Sequence, residues 1–129
     1  MRLLLDTHTF IWWDNEPDKL STRVRDLCQD PNNRLILSVV SIWEMQIKSQ
    51  LGKLTLNQSL ADLVERQQDR NQIEILAIKL PHVLALNELP SHHKDPFDRL
   101  LIAQANIEDA LLLSKDAVFS AYSVNVLWE

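Results

Sequence analysis

Residues 2–13 read RLLLDTHTFIWW, and this stretch decides the fold. Its uninterrupted apolar run, LLL, predicts a short strand buried in a sheet over residues 2–6. The polar Asp6 closes the run, and residues 7–13 are predicted to be helical. A buried strand that passes straight into a helix is the unit from which parallel α/β sheets are built.

The same alternation continues along the chain. Further buried strands are predicted over residues 35–39, 73–77, 110–114 and 124–128. Further helices are predicted over residues 20–28, 41–51, 56–70, 81–89 and 96–109. The last of these helices is apolar almost all round, which indicates burial on several sides. We therefore expect an α/β fold, a parallel sheet with helices on both faces, built as a single domain over residues 1–129.

Glycine and cysteine usage excludes several classes of site. The chain has 129 residues but one glycine, Gly52, so it holds no P-loop, dinucleotide-binding or kinase-type glycine-rich loop. Its one cysteine, Cys28, excludes an internal disulfide and a zinc or iron–sulfur site built from cysteines. We expect Cys28 to be a small buried apolar residue rather than a reactive thiol.

The chain is acidic. Its 13 Lys and Arg against 18 Asp and Glu leave a net charge of −5, which is unsuited to binding nucleic acid through bulk positive charge. A polyanionic substrate would need another source of positive charge, and a divalent cation is the simplest. No apolar run approaches the ~20 residues of a membrane span, and Asp6 ends the first run too early for a secretion signal. The expected location is the cytoplasm, with no membrane partner.

In an open parallel sheet, ligands bind and react outside the carboxyl ends of the strands. Three acids are predicted at that edge. Asp6 ends the first strand, Glu44 lies in the first predicted turn of the helix after the second, and Asp116 follows the fourth. A further candidate comes from HHKDPFDR, residues 92–99, at the start of the buried helix. The strand-end rule does not place that segment in the same cleft.

Each of these acids also has a structural explanation. Asp6 is a good helix N-cap, and Ser41 with Glu44 has the spacing of a capping box. Glu44 also forms an i,i+4 pair with Lys48. Asp116 suits a turn.

The segment over residues 92–99 has a structural explanation of its own. Asp95 before Pro96 is a good N-cap with proline at the first helical position. Asp98 then complements the helix dipole.

A shared site explains the acids together. Carboxylates packed within a few ångströms repel, so some would be driven neutral unless a cation sits between them. Hard oxygen ligands suit Mg²⁺ or Mn²⁺, which would also let an acidic cleft bind phosphate. Such an ion lowers the pKa of a bound water, so that hydroxide attacks phosphorus in line. The residues therefore favour metal-dependent phosphoryl chemistry.

The whole chain resembles the PIN-domain family, in particular the VapC-like ribonuclease toxins of bacterial toxin–antitoxin pairs. The resemblance is carried by LLLDTH at residues 3–8, SVVSIWE at 38–44, HKDPFDRLLIAQA at 93–105 and LSKD at 113–116. It implies a three-layer fold with a five-stranded parallel sheet of order 3-2-1-4-5. It also implies an acidic cluster holding Mg²⁺ or Mn²⁺, cleavage of single-stranded or structured RNA, a homodimer, and a small antitoxin protein whose tail wraps the toxin.

Carried over residue by residue, the family's catalytic and metal-binding acids fall on Asp6, Glu44, Asp98 and Asp116. The resemblance implies that Asp6 and Asp98 are direct ligands, while Glu44 and Asp116 act directly or through water. Asp95 keeps its N-cap role, and a role around the ligands or at the substrate is open for Asp95, Arg99 and His93.

The basic residues near Asp98 leave alternatives open. Three roles are open for Arg99: it orients that carboxylate, it contacts a phosphate, or it forms a structural salt bridge. His92 and His93 are expected to be exposed loop residues, but they permit a rival mechanism with two imidazoles as general acid and base. That route gives a cyclic phosphate and survives EDTA, whereas the metal route leaves 5′-phosphate and 3′-hydroxyl ends.

The four tryptophans, Trp12, Trp13, Trp43 and Trp128, are expected mostly in the core. Because helical neighbours differ by about 100°, one of the adjacent pair Trp12 and Trp13 should lie away from it. An exposed ring would suit a dimer contact, an antitoxin groove or a stacked RNA base.

Two other functions remain as alternatives. A receiver-type phosphoacceptor shares this length and sheet type but needs neighbouring acids after strand one, where Asp6 is followed by Thr7 and His8. An aspartyl phosphatase wants a second acid at the position of His8. A catalytically silent PIN fold kept as an interaction module is the non-enzymatic alternative.

Overall fold

The computed structural model describes residues 1–129. The strands are β1 (Arg2–Leu5), β2 (Arg34–Ser38), β3 (Glu74–Leu76), β4 (Leu111–Leu113) and β5 (Val126–Leu127). The helices are α1 (Thr7–Asn15), α2 (Thr22–Gln29), α3 (Val39–Gln50), α4 (Leu60–Asn71), α5 (Leu80–Ala85) and α6 (Pro96–Ile107). Short 3-10 segments lie at Pro17–Lys19, Leu86–Glu88 and Ala117–Ala121.

The strands form one parallel sheet of order β3-β2-β1-β4-β5, which confirms the α/β fold and the implied strand order. The central strand β1 pairs with β2 on one side and with β4 on the other, so that Leu4 lies opposite both Ile36 and Leu112. Because all strands run the same way, their carboxyl ends meet at one edge of the sheet.

The apolar run that opens the sequence is buried on both faces, as predicted. Leu3 and Leu5 pack into a cluster that includes Phe10 of α1, whereas Leu4 belongs to a second cluster to which α6 gives four residues. Each cluster contains 12 buried residues, and helices therefore cover both faces of the sheet. Helix α6 is buried along Leu100–Ala105, which confirms its predicted burial on several sides.

Helix α3 begins earlier than predicted. It follows β2 without a loop and starts at Val39, and Ser38 is the N-cap through a 3.0 Å bond from the Val40 N–H to its Oγ. The predicted capping box of Ser41 and Glu44 is therefore wrong, since Ser41 lies inside the helix with its buried hydroxyl unpaired. Glu44 consequently sits in the second turn rather than the first.

The remaining elements agree with the predictions to within a few residues. Helix α1 runs two residues past its predicted end, and α5 is shorter because residues 86–88 turn as a 3-10 helix. Cys28 is buried, and this burial raises the pKa of its thiol to about 12. None of the helices combines the length and the apolar character needed to cross a membrane.

Candidate active site

The parallel sheet brings the ends of β1, β2 and β4 to a common edge. Asp6 follows β1 directly, and its N–H donates to the carbonyl of Leu113 in β4 at 3.2 Å. Ser114 follows β4, and Ser38 at the end of β2 caps the helix that carries Glu44. The predicted acids of strands one, two and four therefore start from neighbouring points of the backbone.

The Asp6 carboxylate is buried, with the residue 7% exposed. One oxygen, Oδ1, accepts a 2.9 Å bond from the N–H of Thr9, so Asp6 caps α1 as its structural explanation predicts. The other, Oδ2, accepts a 2.5 Å bond from the hydroxyl of Ser114. Burial raises the pKa of Asp6, and these hydrogen bonds oppose the rise. Capping thus uses one oxygen, and the hydroxyl of Ser114 holds the second.

Asp116 is linked to Asp6 through the same serine. Its N–H donates to the Ser114 Oγ at 3.0 Å, and its Oδ1 accepts from the Val118 N–H at 3.0 Å, which caps the 3-10 segment. Asp116 is exposed. Asp6 and Asp116 line a common cavity of about 280 Å³, together with His8, Trp12 and Lys115.

Glu44 reaches from α3 to the start of α1. Its Oε1 accepts a 2.6 Å bond from the hydroxyl of Thr7, the residue next to Asp6, although Glu44 is itself buried. Its Oε2 accepts a 2.6 Å bond from Lys48, which confirms the predicted i,i+4 pair. A single lysine therefore balances this carboxylate in the structure.

Asp98 lies at the start of α6 in a cluster of like charges. The pKa of Asp98 is raised to about 6, first by burial and next by the negative charge of Asp95, with Glu44 adding to the rise. A 2.9 Å contact between His93 Nε2 and the Asp98 carboxylate opposes it. Because the charge of Glu44 contributes to this rise, the acids of α3 and α6 are close enough to interact electrostatically.

Three side chains of this cluster have the geometry of a metal site. His93, Asp95 and Asp98 each offer a ligand atom, and these atoms all lie within 4.8 Å of one another. A half-buried carboxyl with a raised pKa beside further carboxylates lacks counter-charge, which a divalent cation would supply. The donor set, mostly hard carboxylate oxygen, fits Mg²⁺ or Mn²⁺.

The structure thus places the predicted acids in two adjoining groups. Asp6 and Asp116 share Ser114 and one cavity, whereas Glu44 and Asp98 lie within electrostatic reach of each other. Thr7 joins the groups, since it follows Asp6 in the chain and hydrogen bonds to Glu44.

Asp95, Arg99 and the histidines have the following contacts. Asp95 is the N-cap of α6, and its Oδ1 accepts from the N–H groups of Phe97 and Asp98. Arg99 does not hydrogen bond to Asp98; its guanidinium donates to backbone carbonyls, among them those of Pro90 at 2.9 Å and Leu86 at 3.2 Å. It therefore fixes the loop that leads into α6.

The two histidines of this loop point in different directions. The expectation that His93 is an exposed loop residue is wrong, since its side chain is 32% exposed and its ring contacts Asp98. His92 is exposed, and its ring lies edge-on against Tyr122 with centroids 5.3 Å apart.

Sequence reasoning missed Ser114 and Thr7 as partners of the acids. Ser114 comes directly after β4, and Thr7 comes two residues after the end of β1. These positions could have indicated that both residues lie near the acids. Trp43 was expected in the core, but it is 51% exposed and packs edge-on against Phe97. Trp12 and Trp13 are both half-buried against the core.

The chain is similar to a known protein family in sequence and to several solved structures in fold. The model of the PIN domain matches residues 3–125. Among curated proteins, none matches the chain in sequence. The solved structures described below are 15–20% identical to the chain, so their likeness concerns the fold.

Two of those structures are of VapBC proteins, and a third is a toxin–antitoxin complex. VapBC2 from Rickettsia felis, bound to a DNA fragment from its promoter, gives a TM-score of 0.74 at 19% identity over 100% of both chains. VapBC-1 from nontypeable Haemophilus influenzae gives 0.65 at 20% identity over 98% of this chain and 97% of that one. A toxin–antitoxin complex from Klebsiella pneumoniae gives 0.60 at 15% identity over 97% and 95%. Because the PIN model matches nearly every residue described here, the chain belongs to the PIN domain family.

Proposed function

We propose that the protein is a metal-dependent endoribonuclease and the toxin of a toxin–antitoxin pair. In this proposal Asp6, Glu44, Asp98 and Asp116 hold Mg²⁺ or Mn²⁺ at the sheet edge, and a partner antitoxin keeps the enzyme inactive. The protein acts in the cytoplasm as a homodimer and a single domain. The observation that carries the proposal is the crowding of carboxylates at Asp98, whose pKa is raised to about 6 by burial and by Asp95 and Glu44.

The crowding of carboxylates around Asp98 supports binding of a cation rather than a separate structural role for each acid. An N-cap or a dipole interaction needs one carboxylate, and Asp95 already supplies it for α6. Asp98 then remains beside other acids with only His93 as a hydrogen-bonding partner. Packing acids together destabilises the protein unless a ligand compensates, which favours a binding function for the cluster.

The residues around the acids would keep the site ready for a phosphate. Ser114 and Thr7 hold the carboxylates of Asp6 and Glu44 by short hydrogen bonds, and burial excludes competing water from both. Lys48 neutralises one oxygen of Glu44 and leaves the site's other acids without a lysine partner. When bound, the divalent ion supplies positive charge for the phosphate and lowers the pKa of a water molecule.

The toxin role is supported by the structural neighbours. The VapBC and Klebsiella pneumoniae structures share the fold along nearly the whole chain, and the latter is a toxin–antitoxin complex. We transfer from them only the kind of partner, a protein antitoxin. The RNA substrate rests on the family resemblance and on the need of an acidic site for a cation before it can bind a polyanion.

Cleavage of RNA by paired variants tests this function. The purified chain is incubated with total RNA in Mg²⁺ or Mn²⁺, with EDTA as the metal-free arm. Asp6→Asn and Asp98→Asn should each abolish cleavage and growth inhibition while the thermal unfolding transition stays cooperative. Asp26→Asn, an exposed aspartate of α2 without an ion pair, is the matched control and should cleave normally. Unchanged cleavage by both site variants would refute the proposal.

The end groups of the products separate this proposal from a histidine mechanism. Metal-dependent hydrolysis leaves 5′-phosphate and 3′-hydroxyl ends and stops in EDTA, whereas acid–base catalysis by two imidazoles gives a cyclic phosphate. The structure disfavours the second route because His93 is engaged with Asp98 and His92 packs on Tyr122. A silent interaction module would bind the antitoxin but cleave no RNA under either condition.

A further inference from the structure

The cavity beside Asp6 has a wall that the acids do not explain. His8 and Trp12 of α1 line it together with Asp6, Asp116 and Lys115. Its volume of about 280 Å³ is close to the lower end of ordinary ligand pockets. None of the roles assigned above to the acids requires an aromatic ring here.

The two rings stand one helical turn apart and face the same side of α1. Their positions differ by four residues, and their centroids are 5.9 Å apart with planes tilted by 44°. Trp12 is held from behind by Trp128, whose ring meets it edge-on at 5.8 Å. His8 is exposed. Trp12 is therefore restrained by packing, whereas the ring of His8 is accessible to solvent.

Positive charge flanks the rings. Lys115 lines the same cavity as the rings, and the Lys19 ammonium lies over Trp12 at 6.0 Å from its centroid while it pairs with Glu16 at 2.8 Å. Aromatic surfaces combined with lysines are how proteins bind single-stranded nucleic acid, because every base has a face that stacks and every nucleotide a phosphate. In a chain of net charge −5, this local pairing of rings and lysines is distinctive.

We propose that His8 and Trp12 form a base-binding subsite, which stacks an unpaired nucleobase of single-stranded RNA next to the acidic site. The inference rests on the proposed function, and it adds the part of the substrate that is recognised. The base lies against the rings, Lys115 contacts a neighbouring backbone phosphate, and the scissile phosphate faces the carboxylates. A fully paired duplex cannot enter, since its bases are stacked on one another.

Binding of two RNA probes tests the subsite. All proteins carry Asp98→Asn so that the probes are not cut, and because both octamers are compared on the same protein, weaker metal binding in this variant affects the two dissociation constants alike. The probes are a fluorescein-labelled adenylate octamer and an octamer of abasic ribose phosphate, which have the same backbone charge. Their dissociation constants are measured by fluorescence anisotropy in Mg²⁺. The parent should bind the adenylate octamer about 5- to 150-fold more tightly, the range expected for one stacked base.

Substitutions of His8 and Trp12 test whether these rings cause the preference for the adenylate octamer. Trp12→Leu should bring the ratio of the two dissociation constants close to one while keeping apolar contact with Trp128. Trp13→Leu is the matched control, because Trp13 lines a different cavity with Asp14 and Arg66, and it should keep the ratio. His8→Ala changes only an exposed ring and should lower the ratio even if Trp12→Leu fails to fold.

The outcomes for the subsite and for the nuclease are separable. An unchanged ratio in both Trp12→Leu and His8→Ala, or a parent that binds the two octamers equally, overturns the subsite. If the subsite is overturned in this way but the wild-type chain cleaves RNA, the proposed nuclease function is retained. A base-dependent ratio that the ring variants lose, without cleavage by the wild type, supports the subsite and refutes the nuclease.

Discussion

The hydroxyl of Ser114 donates a 2.5 Å hydrogen bond to the carboxylate of Asp6, across the junction of β1 and β4. The same oxygen accepts a 3.0 Å bond from the N–H of Asp116. Ser114 is 3% exposed, so water does not replace it. One buried hydroxyl thus sets the orientation of Asp6 and the position of Asp116, the two predicted acids that share a cavity.

Ser114→Ala should therefore lower activity without removing a ligand. Asp6 would keep its bond from Thr9 but lose the one that orients its second oxygen. Loss of a group that orients a metal ligand usually reduces metal affinity or activity about 10- to 100-fold. The check is RNA cleavage as a function of Mn²⁺ concentration. Ser120→Ala removes an exposed hydroxyl that bonds only to a local carbonyl and should leave the curve unchanged. Equal curves for Ser114→Ala and the wild type would contradict this assignment.

Asp98→Asn should stabilise the metal-free protein above pH 6. The pKa of Asp98 is raised from 3.8 to about 6 on folding, so the unfolded chain releases this proton at lower pH than the folded chain. Stability due to this group is therefore lost as pH rises from about 4 to about 6, and the loss persists above. At ~1.4 kcal/mol per pKa unit, the neutral variant should gain about 1–3 kcal/mol at pH 7.5.

Thermal or urea unfolding in EDTA at pH 4, 5, 6 and 7.5 measures this gain. The difference between Asp98→Asn and the wild type should be small at pH 4 and constant above about pH 6.5. Asp26→Asn should show no such pH-dependent gain, because Asp26 is exposed. A variant less stable than the wild type at pH 7.5 would show that Asp98 is a stabilising charge, contrary to the crowding argument.

Addition of Mn²⁺ should reverse that order. A ligand that binds only the folded state stabilises it by about 2.7 kcal/mol at a hundred times its dissociation constant. The wild type should therefore gain stability with Mn²⁺ concentration, while Asp98→Asn should gain much less. Equal shifts of the unfolding temperature in both proteins would indicate that the ion binds away from Asp98.

The pair of Glu108 and His82 gives a pH effect unrelated to the site. His82 is fully buried, and its Nε2 contacts the Glu108 carboxylate at 3.0 Å. This hydrogen bond, with Lys79 and Arg2 nearby, lowers the pKa of Glu108 from 4.5. Its stabilising contribution is therefore present above the ordinary carboxyl range and is lost as pH falls through the lowered pKa.

Glu108→Gln should accordingly lower the unfolding temperature at pH 7 and have progressively less effect in acid. Glu65→Gln, an exposed change on α4, provides the comparison and should have little effect at either pH. An effect of Glu108→Gln that grows toward low pH would contradict the direction of this pKa shift.

The fold was largely predictable because its signals are local. Unbroken apolar runs such as residues 3–5 occur where a strand is buried on both faces, and the all-round apolar α6 occurs where a helix is covered on several sides. The start of α3 was not predictable in the same way. Val39 and Val40 favour a strand, and only the hydrogen bond to the Ser38 hydroxyl shows that the helix has begun.

The site was predictable only in part. Strand ends predicted Asp6, Glu44 and Asp116 at one edge, but no local pattern indicates that the charge of Glu44 acts on Asp98, since the two lie on helices from distant parts of the chain. A role for His93 around the ligands was left open, but its contact with Asp98 was not predicted, because the loop before α6 has no periodicity. Arg99 was placed near the carboxylate by adjacency, whereas its length lets it reach the carbonyls of Leu86 and Pro90 instead.

The most direct test of the central claim, that the separate acids share one divalent cation, is a crystal grown or soaked in Mn²⁺ and measured for anomalous scattering. We predict a single strong peak at the carboxyl edge of the sheet, touching Asp98 and reaching Asp6 directly or through one ordered water. A peak held by His93 and Asp95 with Asp6 beyond the reach of its hydration shell, or no peak at this edge at saturating Mn²⁺, would contradict the account.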